Sequence, residues 1–208
     1  MTERVVHVVD DDEAVRRSLA MLLDSTGHAA RTYASAEALL HAAREPGGLA
    51  MGCLILDVRM PGMDGISLID ALRREGVTLP VVVVTGHGDV PLAVRAMRAG
   101  AMDFVEKPYS EDRIVDAVGT ALESLRLVDQ QRVLQAQAKA RAAALSPRER
   151  EVLTALVAGQ ANKVIGFELG ISPRTVEVHR AKLMEKLRVR SLPEVVRIGL
   201  AAGMGPES

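Results

Sequence analysis

The chain has 208 residues, which at roughly 100–200 residues per domain allows one or two domains. Hydrophobic residues make up 48% and aromatics only 2%, so its cores must be built from Ala, Val, Leu, Ile and Met. The net charge of −1 hides an imbalance: residues 1–122 carry 12 Lys+Arg against 18 Asp+Glu (net −6), and residues 123–208 carry 14 against 9 (net +5). The basic half points to a nucleic-acid partner, unless composition has merely drifted between domains. Cys53 is the single cysteine and lies inside the apolar run Cys53-Leu54-Ile55-Leu56, which excludes a disulfide framework and reads as a buried thiol. No run approaches the ~18 apolar residues of a membrane span, and Asp10 comes too early for a signal peptide. The expected location is the cytoplasm, with no membrane partner.

In chain order, Val5–Val9 reads as a buried strand and Ala14–Ser25 as a helix with Val15, Leu19 and Leu22 on one face. Arg31–Tyr33 is a weak, edge-like strand, and Ser35 caps a helix that runs to Arg44. Cys53–Leu56 is a second strong strand, Ile66–Glu75 a helix, and Leu79–Val84 a third strand. The helix Val90–Ala99 ends at Gly100, a good C-terminal cap, and Met102–Val105 is the last strand. Continuous apolar strands alternating with helices predict a five-stranded parallel sheet, doubly wound with helices on both faces. From Glu111 to Ala143 no proline intervenes, so one long helix is expected, with residues 123–144 as a linker between a domain at 1–122 and one at 145–208. Leu122, Leu125, Leu127 and Val128 give that helix an apolar stripe suited to loose pairing with a second copy. Ser146, Pro147 and Glu149 form a capping box, after which the pattern predicts an all-α domain of four helices.

Three strand ends carry chemistry. Asp10-Asp11-Asp12 follows the first strand, Asp57 follows Leu56, and Lys107-Pro108 follows the last strand. A parallel sheet gathers such ends on one side. Carboxylates without a thiol or imidazole suit a hard, oxygen-loving cation such as Mg²⁺. Asp57 is then a candidate nucleophile toward phosphorus, Lys107 a partner for a phosphoryl oxygen, and Thr85 a hydroxyl donor. Taken singly, an Asp run is usually a solvated turn, and Asp12 is read that way. The histidines are scattered and give no metal or catalytic cluster.

Asp10-Asp11, Asp57 with Met60-Pro61-Gly62-Met63-Asp64-Gly65, Thr85-Gly86-His87-Gly88-Asp89, and Lys107-Pro108 together resemble the receiver domain of bacterial response regulators over residues 5–122. The resemblance implies a CheY-like receiver with the flavodoxin-like strand order. It implies Asp57 as the phosphoacceptor, with Mg²⁺ held by Asp10, Asp11, Asp57 and the backbone carbonyl of Arg59. It implies Lys107 on the phosphoryl group, a cis bond to Pro108, Thr85 as the switch hydroxyl, and Phe104 at the aromatic switch position, where a tyrosine is common.

In the basic half, Asn162–Leu169, the turn Gly170-Ile171-Ser172 and a helix opened by Ser172-Pro173 make a helix-turn-helix pattern. From Ser172 to Arg190 there are six Lys+Arg and two Glu, the footprint of a phosphate-facing surface or of a merely solvated bundle. Leu145-Ser146-Pro147-Arg148-Glu149, Asn162-Lys163 and Ile171-Ser172-Pro173-Arg174-Thr175-Val176-Glu177-Val178-His179 resemble the LuxR-type DNA-binding domain. That resemblance places Glu177, Val178 and Ala181 at base edges, and Lys163, Arg174, Thr175, His179 and Lys182 near phosphates, with Arg180 and Lys186 as further candidates. Gly166 departs from the family's usual alanine. Both halves are similar to the FixJ/NarL branch of response regulators.

The implied function is a two-component response regulator. A sensor histidine kinase phosphorylates Asp57, and the chain forms a homodimer through a face containing Val90, Pro91, Val94, Arg95 and Arg98. It then binds double-stranded promoter DNA and works with RNA polymerase. It is not an enzyme beyond its own Mg²⁺-dependent phosphorylation and dephosphorylation. An aspartyl phosphatase would use the same pocket, but needs a second carboxylate where Arg59 stands. A receiver that binds protein without phosphorylation is the other open reading.

Overall fold

The computed structural model describes residues 4–86 and 90–204. The expectations for His87, Gly88, Asp89 and the Val90 side chain fall outside the described residues. Among the described residues the chain forms five strands and nine helices, divided into two compact units, Met1–Leu127 and Val128–Ser208.

In the first unit β1 (Val5–Val9), β2 (Ala29–Tyr33), β3 (Gly52–Asp57), β4 (Val81–Thr85) and β5 (Asp103–Glu106) form one parallel sheet in the order β2-β1-β3-β4-β5. Strands β1, β3 and β4 are buried throughout because both faces are covered, while the edge strands β2 and β5 are more open. Leu19 and Leu23 of α1 (Glu13–Ser25) pack on one face with Ile114, Val118 and Leu122 of α5 (Glu111–Ala143). The other face takes Leu39 of α2 (Ala36–Arg44), Leu68 and Leu72 of α3 (Gly65–Arg74), and Ala96 of α4 (Val90–Ala99).

Local departures from the sequence reading have physical causes. Asp12 is the N-cap of α1, its side chain accepting from the Ala14 and Val15 amides, so the helix starts one residue early and Asp12 is no idle turn residue. Strand β2 begins at Ala29 because β1 supplies a ladder for two alanines of low strand propensity. Leu79 and Pro80 precede β4; the Pro80 carbonyl accepts from Leu54, but a proline cannot donate in return. Gly52 lies so close to β1 that a Cβ there would fall on the Val5 carbonyl oxygen.

Gly100 ends α4 at φ +100, as its cap position predicts. The Arg73 guanidinium, from the end of α3, donates to the Ala99 carbonyl at 2.7 Å and fills the space a side chain at 100 would need.

Helix α5 is unbroken over 33 residues, and the division between the two units falls within it. In the second unit α6 (Pro147–Val157), α7 (Asn162–Leu169), α8 (Pro173–Leu187) and α9 (Leu192–Ala201) surround Val152, Leu153, Ile165, Val176, Leu183, Leu187 and Val195. The capping box is complete: Ser146 accepts from the Glu149 amide, and Glu149 accepts from the Ser146 amide at 2.8 Å. At Gly166 the Ile171 amide closes onto the helix carbonyl at 2.9 Å, and a Cβ would press on the Ile171 carbonyl oxygen. The departure from alanine therefore goes with a very close approach of the turn to α7.

Candidate functional site

The chain leaves β1 toward β2 on one side and returns to β3 on the other, so the loops after β1 and β3 part and open a crevice. Val9 pairs with Leu56, which sets Asp10 beside Asp57. Both carboxylates are nearly buried, at 3% and 6% exposure. The Lys107 Nζ reaches between them, 2.7 Å from Asp10 Oδ2 and 3.1 Å from Asp57 Oδ1. Lys107 sits one residue past β5, where its amide extends the ladder to the Thr85 carbonyl at 2.8 Å, and its bond to Pro108 is cis. Thr85 is buried at the end of β4.

Burial pushes the Asp57 carboxyl above its ordinary pKa; the Lys107 ammonium and the Arg59 amide oppose that rise without cancelling it. Burial works against the charge on Lys107, yet its bonds to Asp10 and Asp57 together hold its pKa above the usual value. The second Asp57 oxygen accepts from the Arg59 amide at 2.7 Å. Gly65 begins α3 directly under this loop, where a Cβ would collide with the Asp57 carbonyl oxygen.

The donors around this crevice are all oxygens, which fits a hard divalent cation better than a thiophilic one. Asp11 is exposed beside the pair, and among the described residues no three His, Cys, Asp or Glu side chains lie close enough to hold an ion together. Asp10 and Asp57 are thus brought together, with Lys107 between them. Phe104 is half-buried against the α2–α4 face of the sheet, and Pro91, Val94, Arg95 and Arg98 are exposed along α4.

In the second unit, α7, the Gly170 turn (φ +65) and α8 form the helix-turn-helix. The Ser172 side chain caps α8, accepting from the Thr175 amide at 3.1 Å, and Thr175 Oγ1 bonds to Ser172 Oγ at 2.8 Å. Glu177, Val178, Ala181 and Lys182 are exposed on α8, opposite buried Val176 and Leu183; Lys163 and Arg174 are exposed as well. His179 is half-buried and its Nδ1 has no protein partner. Two of the cationic candidates are engaged internally: Arg180 donates to Asn162 at 2.7 Å, and Lys186 to Glu149 at 2.7 Å.

Residues 6–119 match the response regulator receiver domain family, and residues 143–198 match the luxR family of bacterial regulatory proteins. The chain belongs to the response regulator family. It is a two-component response regulator with a receiver and a LuxR-type helix-turn-helix DNA-binding domain. The transcriptional regulatory protein FixJ of Azorhizobium caulinodans is 50% identical over 201 residues, 97% of this chain and 94% of that one. A solved full-length FixJ from B. japonicum is 45% identical with a TM-score of 0.61, covering 98% of this chain and 99% of that one. The response regulator StyR is 42% identical with a TM-score of 0.72, covering 94% and 98%. Among the described residues of this response regulator, no helix is long and apolar enough to cross a membrane.

Sequence reasoning missed Arg16, which donates to the carbonyls of Asp10 (2.7 Å) and Asp11 (2.9 Å) and so fixes the acidic loop. It also missed Glu37, whose carboxylate accepts from the Met63 amide at 3.0 Å beside Gly62. Neither gives a motif signal, because each acts on backbone outside its own helix, Arg16 on the loop just before α1 and Glu37 on a segment 26 residues away.

Proposed function

We propose that this response regulator is switched by phosphorylation of Asp57 and acts as a DNA-binding dimer in the cytoplasm. The observation that carries the reading is the convergence of two buried carboxylates on one ammonium at the sheet's switch point. An Asp57 oxygen attacks phosphorus, and the phosphoryl group moves from the histidine of a sensor kinase to form an acyl phosphate. Lys107 then has a phosphoryl oxygen to bond, and its hold on Asp10 and Asp57 is redistributed. Asp10, Asp11, Asp57 and the Arg59 carbonyl are the residues that would hold Mg²⁺. When bound, that ion supplies neutralisation of the phosphoryl charge.

Thr85 and Phe104 carry the change from the pocket to the face formed by α4 and β5. Val90, Pro91, Val94, Arg95 and Arg98 form the dimer contact there, which raises the effective concentration of the second DNA-binding domain at a paired half-site. On α8, Glu177 accepts from cytosine N4 and Val178 touches a thymine methyl, with Ala181 beside them. Lys163, Arg174, Thr175, His179 and Lys182 contact phosphates. The promoter complex serves RNA polymerase.

The test uses acetyl phosphate with Mg²⁺, the wild type and Asp57→Ala. The wild type is expected to gain one phosphoryl mass, to dimerise, and to tighten on duplexes selected from a random pool. Equal phosphoryl uptake and equal tightening by the alanine variant would overturn the reading.

A further inference from the structure

We propose that the second unit carries a binding site for a small organic acid, separate from the Asp57 pocket and from the exposed face of α8. A cleft of about 580 Å³ opens between the end of α5 and α9. Its apolar wall includes Leu134, Ala138 and Ile198, and the same space is lined by Arg141, Arg188 and Arg197. The volume lies within the ~300–1,000 Å³ typical of small-molecule sites, which combine an apolar lining with a few convergent polar groups.

None of the three guanidiniums lies within salt-bridge distance of a carboxylate among the described residues, although the Arg197 charge helps to lower the Glu194 pKa. Glu194 also borders the cleft, but its two oxygens accept from Ser191 Oγ at 2.6 Å and the Arg190 amide at 3.4 Å, at the start of α9. The acid is thus engaged by the helix start. Elsewhere in this unit Arg148 pairs with Glu151 and Arg180 with Asn162. Arg188 is also the one non-glycine residue at positive φ among the described residues, at a helix end where glycine is easiest.

Like charges lining one cleft repel, and an anion between them removes that repulsion. A guanidinium is a planar fork that matches a carboxylate with two parallel hydrogen bonds. The apolar wall matches an alkyl or aryl body. The ligand class is therefore a carboxylate on an apolar body. From Val128 to Ala143 only Ala138 and Ala142 are buried, so a guest in this cleft would add substantially to the packing of α5 on α9. Such a guest would be a chemical input that does not pass through Asp57.

Octanoate is the probe, with octanol and inorganic phosphate as controls at constant ionic strength, followed by amide NMR of the full chain. Octanoate is expected to give saturable shifts at Ala138, Arg188, Glu194 and Ile198, with at least tenfold weaker binding of octanol and of phosphate. Arg141→Ala/Arg197→Ala is expected to weaken octanoate at least tenfold; both side chains are exposed, so the fold tolerates the change. Asp57→Ala is expected to bind octanoate like the wild type. Absence of saturable shifts, an equal response to octanol or phosphate, a smaller loss in the double variant, or a dependence on Asp57 would each overturn the proposal.

Discussion

Lys107 bonds more closely to Asp10, at 2.7 Å, than to Asp57, at 3.1 Å. Removing its ammonium leaves two buried carboxylates facing each other. Lys107→Ala is expected to lower unfolding stability by about 2–3 kcal/mol, less than a wholly buried pair because the lysine is partly solvated. Asp57→Asn in that background should restore part of the loss. Urea unfolding of the four proteins checks this, and strict additivity of the two changes would contradict it.

Gly65→Ala pushes a Cβ into the Asp57 carbonyl oxygen. Relief requires the loop after β3 to move. The variant is expected to lose about 1–3 kcal/mol of stability and to take up phosphoryl from acetyl phosphate more slowly, read by mass spectrometry. Wild-type rates would show that the loop absorbs the change without disturbing Asp57.

Glu149 is buried, and its carboxyl is held down to about 2, first by the Lys186 ammonium and then by the Ser146 amide. A depressed carboxyl stabilises the fold above its ordinary value of 4.5 and stops doing so as pH falls toward 2. Glu149→Gln should cost about 1–2 kcal/mol at neutral pH, screening at the half-exposed lysine limiting the effect. The gap between variant and wild type should close between pH 4.5 and 2 in thermal melts followed by circular dichroism.

On the α8 face, Lys182→Ala is expected to weaken binding to all duplexes alike and to lower the salt slope by about one. Glu177→Ala should change which bases are preferred. Selection from a random duplex pool separates the two, and an unchanged preferred sequence would remove Glu177 from base reading.

Cys53 is fully buried in β3, and burial pushes its thiol up to about 12. The native protein is expected to resist a disulfide reagent at pH 8 and to react fully once urea unfolds it. Rapid native labelling would mean that β3 opens easily.

Much of the receiver was legible in sequence because its signals are local or repeat. Val5–Val9 and Val81–Val84 are β-branched runs that carry their own strand propensity, and Asp10, Asp57 and Lys107 lie at predictable strand ends. What stayed hidden acts across long separations. The Lys186 bond to Glu149 spans 37 residues, so the count of basic residues from Ser172 to Arg190 includes a lysine, only a further candidate for DNA, that the protein itself engages. Ala29 and Ala30 became strand only because β1 lay alongside. Asp12 was misread because one short side chain suits a turn and a helix cap equally well.

The fit of Arg73 into the space above Gly100 has an evolutionary consequence. Neither residue is free to drift alone. A side chain appearing at 100 evicts the guanidinium, and a shorter residue at 73 strands the last carbonyl of α4. Change at this corner has to arrive in pairs, so the two positions should covary among relatives even though 26 residues separate the hydrogen-bonded partners Arg73 and Ala99.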